Sequence, residues 1–419
     1  MMRLHTIDAL LDQFKPGDEV FVAGCAGEPT LLLDALLARS ESATGVRFTG
    51  VHIPGVNSFA YADLTPSTRQ RGIFLSPALR PAFKAGRMEF LPVSYTSICA
   101  MLAATRFDWV IFQGAADGTG VNLSLAADFT EAACAKAKHI IGICNSNLAI
   151  TNAPTIDDPR LIRLESDSPI LSYDAGALSP AFVQLGQVIA THIANGSTLQ
   201  FGLGKLQKAV LAALYAHRNL RVHSGMISDP LLALQDSGAL AADALPAICT
   251  GVALGSAALN ARAADPSFVR FMPVSYTHAA STLAQLPGFV AINSIIEIDL
   301  TGQVNAEMLA GEQISGGGGM SDFVMGARIN PNGKSILAST ASARGSISNE
   351  RISRIVCQLS AGASVTIPRY EVDCVATEFG LVQLKHLSVD ERALALISIA
   401  DPAFRESLTE QWAQVRRGL

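Results

Sequence analysis

The chain has 419 residues, of which 16% are charged and 49% hydrophobic, with a formal net charge of −5. That length exceeds one ordinary core and predicts two domains, while so little charge predicts large buried surfaces and a homo-oligomer, most simply a two-fold dimer. With no basic cluster to neutralise phosphates, nucleic acid is excluded as a partner.

The opening Met1-Met2-Arg3-Leu4-His5-Thr6-Ile7-Asp8 lacks the apolar core of a signal peptide. An apolar run from Glu19 to Ala23 predicts a buried strand, and leucines repeated through Thr30 to Ala38 predict a helix. Trp109-Val110-Ile111-Phe112 suits a buried parallel strand. Between Ser166 and Ser179 the pattern weakens around Pro169 and Gly176, which places a join there and predicts domains over 1–175 and 176–419. Ala175 to Gly204 carries no Asp, Glu, Lys or Arg, yet Pro180, Gln184, Gln187, His192 and Asn195 interrupt it. Buried helix followed by buried strand is the expectation there, not a membrane span. Next come a strand over Leu199 to Phe201, a turn at Gly202-Leu203-Gly204, a helix over Lys205 to Ala216 and a strand over Phe289 to Ile292. The seven cysteines are scattered without a CxxC or Cys/His ligand pattern, as expected of reduced thiols in a soluble cytoplasmic protein, with no metal site.

The chain also repeats itself at domain scale. Leu91-Pro92-Val93-Ser94-Tyr95-Thr96 returns as Met272-Pro273-Val274-Ser275-Tyr276-Thr277, and Asp117-Gly118-Thr119-Gly120-Val121-Asn122 returns near Asp299 to Asn305. Gly17 to Gly24 parallels Gly196 to Gly202, and Val51-His52 parallels Val222-His223. Matches in one order argue for two related open α/β, Rossmann-like domains with mostly parallel sheets and an active-site cleft between them.

Two segments carry candidate chemistry. Gly202 and Gly204 bound a strand-to-helix turn, which suits either a tight fold connection or an anion at the helix N-terminus. Ser315-Gly316-Gly317-Gly318-Gly319-Met320-Ser321-Asp322-Phe323 holds four successive glycines, as a backbone would that must approach a ligand closely and offer its N–H groups to an oxyanion. This run resembles the Ser-Gly-x-Gly-Gly-x-x-Asp-Phe pattern of the acetyl-CoA hydrolase/transferase family, which includes 4-hydroxybutyrate CoA-transferases. Asn195 to Gly204, Ile292-Asn293-Ser294, Glu297 to Glu307 and Thr377-Glu378-Phe379-Gly380 are similar to further stretches of that family.

The resemblance implies an enzyme that exchanges CoA between an acyl-CoA and a small carboxylate, with CoA as substrate and no permanent cofactor. It implies that Gly202, Gly204, Asn293, Gly316, Gly317, Gly318, Gly319 and Met320 hold the CoA ester. It also places the family's nucleophilic glutamate within His223-Ser224-Gly225-Met226, at Gly225, which has no carboxylate. The sequence therefore leaves open a transferase working by another route, an acyl-CoA hydrolase, or a silent CoA-ester-binding subunit or sensor. His223 matches the family pattern, and Ser224 is a candidate to orient water. Glu28, in the corresponding turn of the first half, is either a replacement carboxylate or a helix-terminus charge. Glu307 and Glu378 read as hydrogen-bonding residues, and Cys144 and Cys249 as core thiols.

Overall fold

In the computed structural model, residues 4–243, 246–345 and 350–418 are described, so Met1, Met2 and Arg3 of the opening segment lie outside. The chain divides into two units. One comprises Met1–Asp174, Gly225–Asp229 and Ile248–Thr277; the other comprises Ala175–Ser224, Pro230–Ala247 and His278–Leu419.

The first unit begins its sheet with Glu19–Val22 (β1), buried from Val20 onward. Thr30–Ala38 (α1) follows and buries Leu32 and Leu36, one turn apart on the same face. The sheet continues through Arg47–Thr49 (β2), Arg69–Gly72 (β3), Met88–Phe90 (β4), Trp109–Asp117 (β5), Gly120–Asn122 (β6), His139–Asn145 (β7), Thr155–Ile156 (β8) and Leu161–Ser166 (β9). Its parallel part runs β4-β3-β2-β1-β5-β7-β9, with β6 and β8 added antiparallel. Val20, Val22, Phe48, Trp109, Ile111, Ile141 and Ile143 form the core beneath α1. A parallel sheet needs such near-continuous apolar strands because both its faces are covered.

In the second half, Pro180–Ala190 (α2) precedes Thr198–Phe201 (β10), and Lys205–Ala213 (α3) precedes Arg221–Ile227 (β11). Ile248–Ala253 (β12), Val269–Phe271 (β13) and Phe289–Ser294 (β14) come next. After these lie the hairpin Glu297–Asp299 (β15) and Val304–Asn305 (β16), the helix Met320–Ile329 (α4), and Lys334–Ala338 (β17), Cys374–Thr377 (β18) and Gly380–Gln383 (β19). The strand order is β13-β12-β11-β10-β14-β17-β18-β19, with only β19 antiparallel in its pairing. Its first seven strands repeat β4-β3-β2-β1-β5-β7-β9 position for position, with β19 added, so the duplication read from short matches is present in the topology. One of those matches is out of register. Phe48 pairs with Val20 and Val222 with Leu199, so Val222 corresponds to Phe48. Val51-His52 instead follows the end of β2, because the two-residue likeness is too short to fix a strand register.

The charge-free stretch forms α2 and β10, as expected, while α3 ends at Ala213, three residues before Ala216. Among the described residues no helix is long and apolar enough to cross a membrane, and no group of three His, Cys, Asp or Glu side chains is arranged to hold a metal ion.

Candidate active site

The site residues expected from sequence fall in both units: Glu28 and Gly225 in the first, the others in the second. In the first unit, β1 leads through Ala23 and Gly24 to Cys25, which adopts φ +52 in a short turn over Cys25–Gly27. A left-handed conformation is uncommon for a residue with a side chain. Asn57 holds it in place. Its Oδ1 accepts the Cys25 N–H at 3.0 Å and the Ile53 N–H at 2.9 Å, and its Nδ2 donates to the Cys25 carbonyl at 3.3 Å.

The same Nδ2 donates to Glu28 Oε2 at 2.7 Å, while the Tyr61 hydroxyl donates to Oε1 at 3.0 Å. Glu28 is thus a buried carboxyl fixed by two side-chain donors, 1% exposed, rather than a solvated helix-terminus charge. Burial pushes its pKa up to about 7 against the opposing pull of Asn57 and Tyr61. His52 stacks on Tyr61, and its Nε2 lies 3.8 Å from Glu28 Oε1 without a hydrogen-bond partner. Burial brings the His52 pKa down to about 4, so the imidazole is neutral at pH 7.

Gly225 lies within β11, an extended backbone open to any residue. The Val222 N–H donates to the Ala247 carbonyl and the Leu254 N–H to the Ile227 carbonyl. Both bonds fit one parallel register, in which Gly225 lies beside Gly251 of β12. Met226 Sδ is 3.9 Å from Cys25 Sγ. A Cβ at Gly251 would sit 3.1 Å from the Gly225 carbonyl oxygen and 3.5 Å from Asp128 Cβ. Asp128 is a second buried carboxyl, pushed up to about 7 by burial against the bond that its Oδ1 accepts from the Phe129 N–H at 2.8 Å.

In the second unit, His223 is buried on β11, and the Ser224 hydroxyl donates to the Phe201 carbonyl at 2.7 Å. That bond ties β11 to β10 and engages the hydroxyl in the backbone. Gly204, at φ +117, caps α3 at the turn after β10, and Gly202 has open space where a Cβ would be. The Asn293 amide is paired with Gln200 in both directions, at 3.0 and 3.4 Å, which locks the ends of β14 and β10 together.

The oligoglycine segment leads into α4. Gly316 and Gly317 precede Gly318, which takes φ +55, and Gly319 is the N-cap residue before Met320. A Cβ on Gly319 would lie 2.5 Å from His278 Nε2, so the backbone here passes directly against an imidazole. That ring packs on Phe323 with centroids 4.3 Å apart. Burial, with His223 adding to it, lowers the His278 pKa to about 3, so the ring is neutral at pH 7. Replacing Gly319 with alanine is therefore expected to cost about 1–3 kcal/mol through overpacking, read as a lower urea midpoint. An unchanged midpoint would mean that the ring yields freely. Glu307 accepts from Thr366 and Gln313, and Glu378 from the Ala341 N–H.

Sequence reasoning passed over Asp128, Asn57, Tyr61 and His278. A signal for Asp128 was available. Asp128-Phe129 follows the β5–β6 hairpin as Asp322-Phe323 follows the β15–β16 hairpin.

The comparisons with known proteins agree with this architecture. The profile described as acetyl-CoA hydrolase/transferase C-terminal domain matches residues 255–412. The 4-hydroxybutyrate coenzyme A transferase of Clostridium kluyveri is 30% identical over 421 residues, covering 98% of this chain and 97% of the relative. The succinyl-CoA:cyclohexane-1-carboxylate CoA transferase of Geobacter metallireducens is 31% identical, covering 96% and 93%. Among solved structures, a 4-hydroxybutyrate CoA-transferase from Porphyromonas gingivalis superposes with a TM-score of 0.78 at 25% identity, covering 99% of this chain and 97% of that one. The chain belongs to the acetyl-CoA hydrolase/transferase family of acyl-CoA-handling enzymes.

Proposed function

We propose that this protein cleaves acyl-CoA thioesters by passing the acyl group directly to its acceptor, water or a small carboxylate, without a glutamyl-CoA intermediate at residue 225. The observation that carries the reading is Gly225. The family likeness puts the nucleophilic glutamate there, and this chain has no side chain at that position. Glu28 does not take over as a covalent group, because both its oxygens accept hydrogen bonds from buried side chains and it is 1% exposed. Attack on a thioester needs a carboxylate oxygen free to reach the carbonyl carbon.

Incubation with acetyl-CoA or butyryl-CoA, followed by borohydride and peptide mass analysis, is expected to leave every glutamate unmodified while free CoA accumulates. A reduced or CoA-bearing glutamate would overturn the direct route. The missing carboxyl equally favours a second reading, a CoA-ester-binding protein without turnover. Both readings expect acyl-CoA to raise the melting temperature, by an amount equivalent to about 2.7 kcal/mol at one hundred times the dissociation constant. Release of free thiol decides between them.

A further inference from the structure

A cavity of about 290 Å3 opens within the second unit, bordered by two short hairpins. Met308–Leu309 pairs antiparallel with Glu312–Gln313 in one, and Ser342–Arg344 with Arg351–Ser353 in the other. Five polar side chains line it: Glu297, Asn305, Ser353, Arg354 and Ser360. The rest of the lining is Met308, Leu309, Ala310, Ile352 and Ala363, with two glycines.

Four of the polar side chains are already engaged with protein partners. Asn305 Nδ2 donates to Glu297 Oε1 at 3.0 Å and to the Met308 carbonyl at 2.8 Å, while its Oδ1 accepts the Glu307 and Met308 N–H groups. The Ser360 hydroxyl donates to Glu297 Oε2 at 3.3 Å, so each oxygen of that carboxylate has a donor. The Ser353 hydroxyl donates to the Ile355 carbonyl at 2.6 Å. Arg354 differs. Its Nη1 donates to the Ile296 carbonyl at 2.9 Å, and among the described residues no carboxylate forms an ion pair with it. A guanidinium carries five N–H donors in a fixed fork, so most of this one is unused. Burial lowers the Arg354 pKa against the pull of Glu297, so that carboxylate does not make good the hydration the guanidinium has lost.

We infer that this cavity binds a small monocarboxylic acid, with its carboxylate on the Arg354 guanidinium and its hydrocarbon part against Met308, Leu309 and Ile352. A carboxylate matches the guanidinium fork with two parallel hydrogen bonds. One unused cation among apolar side chains calls for one negative charge on an apolar body. The charge of Glu297 nearby weighs against phosphate and other dianions, and the volume favours a ligand smaller than most that occupy such sites. Thioester cleavage releases an acid of this kind, but the inference stands apart from the cleavage reading, because every group it uses lies in the second unit and none takes part in the proposed reaction.

Isothermal titration with butyrate, hexanoate and benzoate tests the site, with butyramide and inorganic phosphate as the neutral and dianionic probes. The acids are expected to bind saturably and both probes at least tenfold more weakly. Arg354→Gln is expected to weaken the acids roughly tenfold or more, as loss of a charge-assisted pair does, and Arg354→Lys to retain part of the affinity. Ile352 is exposed at the cavity, so Ile352→Asp tests the site without disturbing the core; its added carboxylate is expected to weaken the acids as well. Acids that bind these variants as they bind the wild type occupy another site and overturn the assignment. The absence of saturable binding by any acid overturns it too. So does butyramide binding as tightly as butyrate, which would leave the guanidinium charge without a role. Phosphate binding more tightly than butyrate, and lost in Arg354→Gln, would replace the monocarboxylate with a phosphate. Acyl-CoA thermal shifts and thiol release, measured on the same proteins, report the proposed function separately.

Discussion

Gly225→Glu is expected to gain CoA transfer from an acyl-CoA to acetate, with ping-pong kinetics and a glutamyl-CoA adduct on the peptide containing residue 225. The backbone supports the substitution, because position 225 lies in an extended strand rather than a left-handed turn. Its neighbour in register on β12 is another glycine, so the paired residue brings no side chain against it. It enters the face that Asp128 borders. A second carboxyl there favours one shared proton at neutral pH, as happens when like charges crowd. The glutamate must ionise to attack, so transfer is expected to strengthen above pH 7. A gain of tenfold over the wild type corresponds to about 1.4 kcal/mol of transition-state stabilisation. Gly225→Gln supplies the same bulk without a nucleophile and controls for simple filling. A folded Gly225→Glu protein that binds acyl-CoA yet forms no adduct would show that the carboxyl has lost the support its relatives give it.

How the sequence foretold this site, and where it fell short, follows from the reach of each interaction. Strands such as Trp109 to Phe112 and Phe289 to Ile292 announce themselves because a doubly covered parallel sheet demands unbroken apolar runs. The oligoglycine segment is equally legible, since four glycines in a row are entropically costly without a close approach to justify them. Gly319 has one, against His278, although that histidine lies forty-one residues away in sequence and carries no local signal. The Glu28 cluster was hidden for the same reason. Asn57 and Tyr61 come from the loop after β2, and only the fold brings their donors onto both carboxyl oxygens. The environment of Gly225 needed a register as well as a strand: His223 and Ser224 read as neighbours in sequence, whereas the neighbour of Gly225 that matters is Gly251.

Glu28→Gln is expected to stabilise the protein at pH 8, and the gain over the wild type is expected to grow as pH rises from about 4.5 to 7. The Glu28 pKa rises from 4.5 in the unfolded chain to about 7 in the fold, with burial as the main cause. Across that window the folded state binds the proton that the unfolded state has released, so the contribution of Glu28 to stability falls as pH rises and levels off above 7. A shift of this size amounts to on the order of 3 kcal/mol once the carboxyl is fully ionised. His52 runs the other way. Its folded value near 4 means that it opposes folding as pH falls below its ordinary value of 6.5, which masks part of the Glu28 slope in the wild type. Comparing variant with wild type isolates the carboxyl, because His52 is present in both. The glutamine fits the same hydrogen bonds: its oxygen can accept from Asn57 Nδ2, and its amide can face the Tyr61 oxygen and the unpartnered His52 Nε2. Urea unfolding at pH 5 and pH 8 measures the difference, which should be larger at pH 8. Parallel stability curves would mean that Glu28 is ionised in the fold at a cost no greater than in water. A variant less stable at pH 8 would mean that the charged carboxylate is what holds the turn at Cys25.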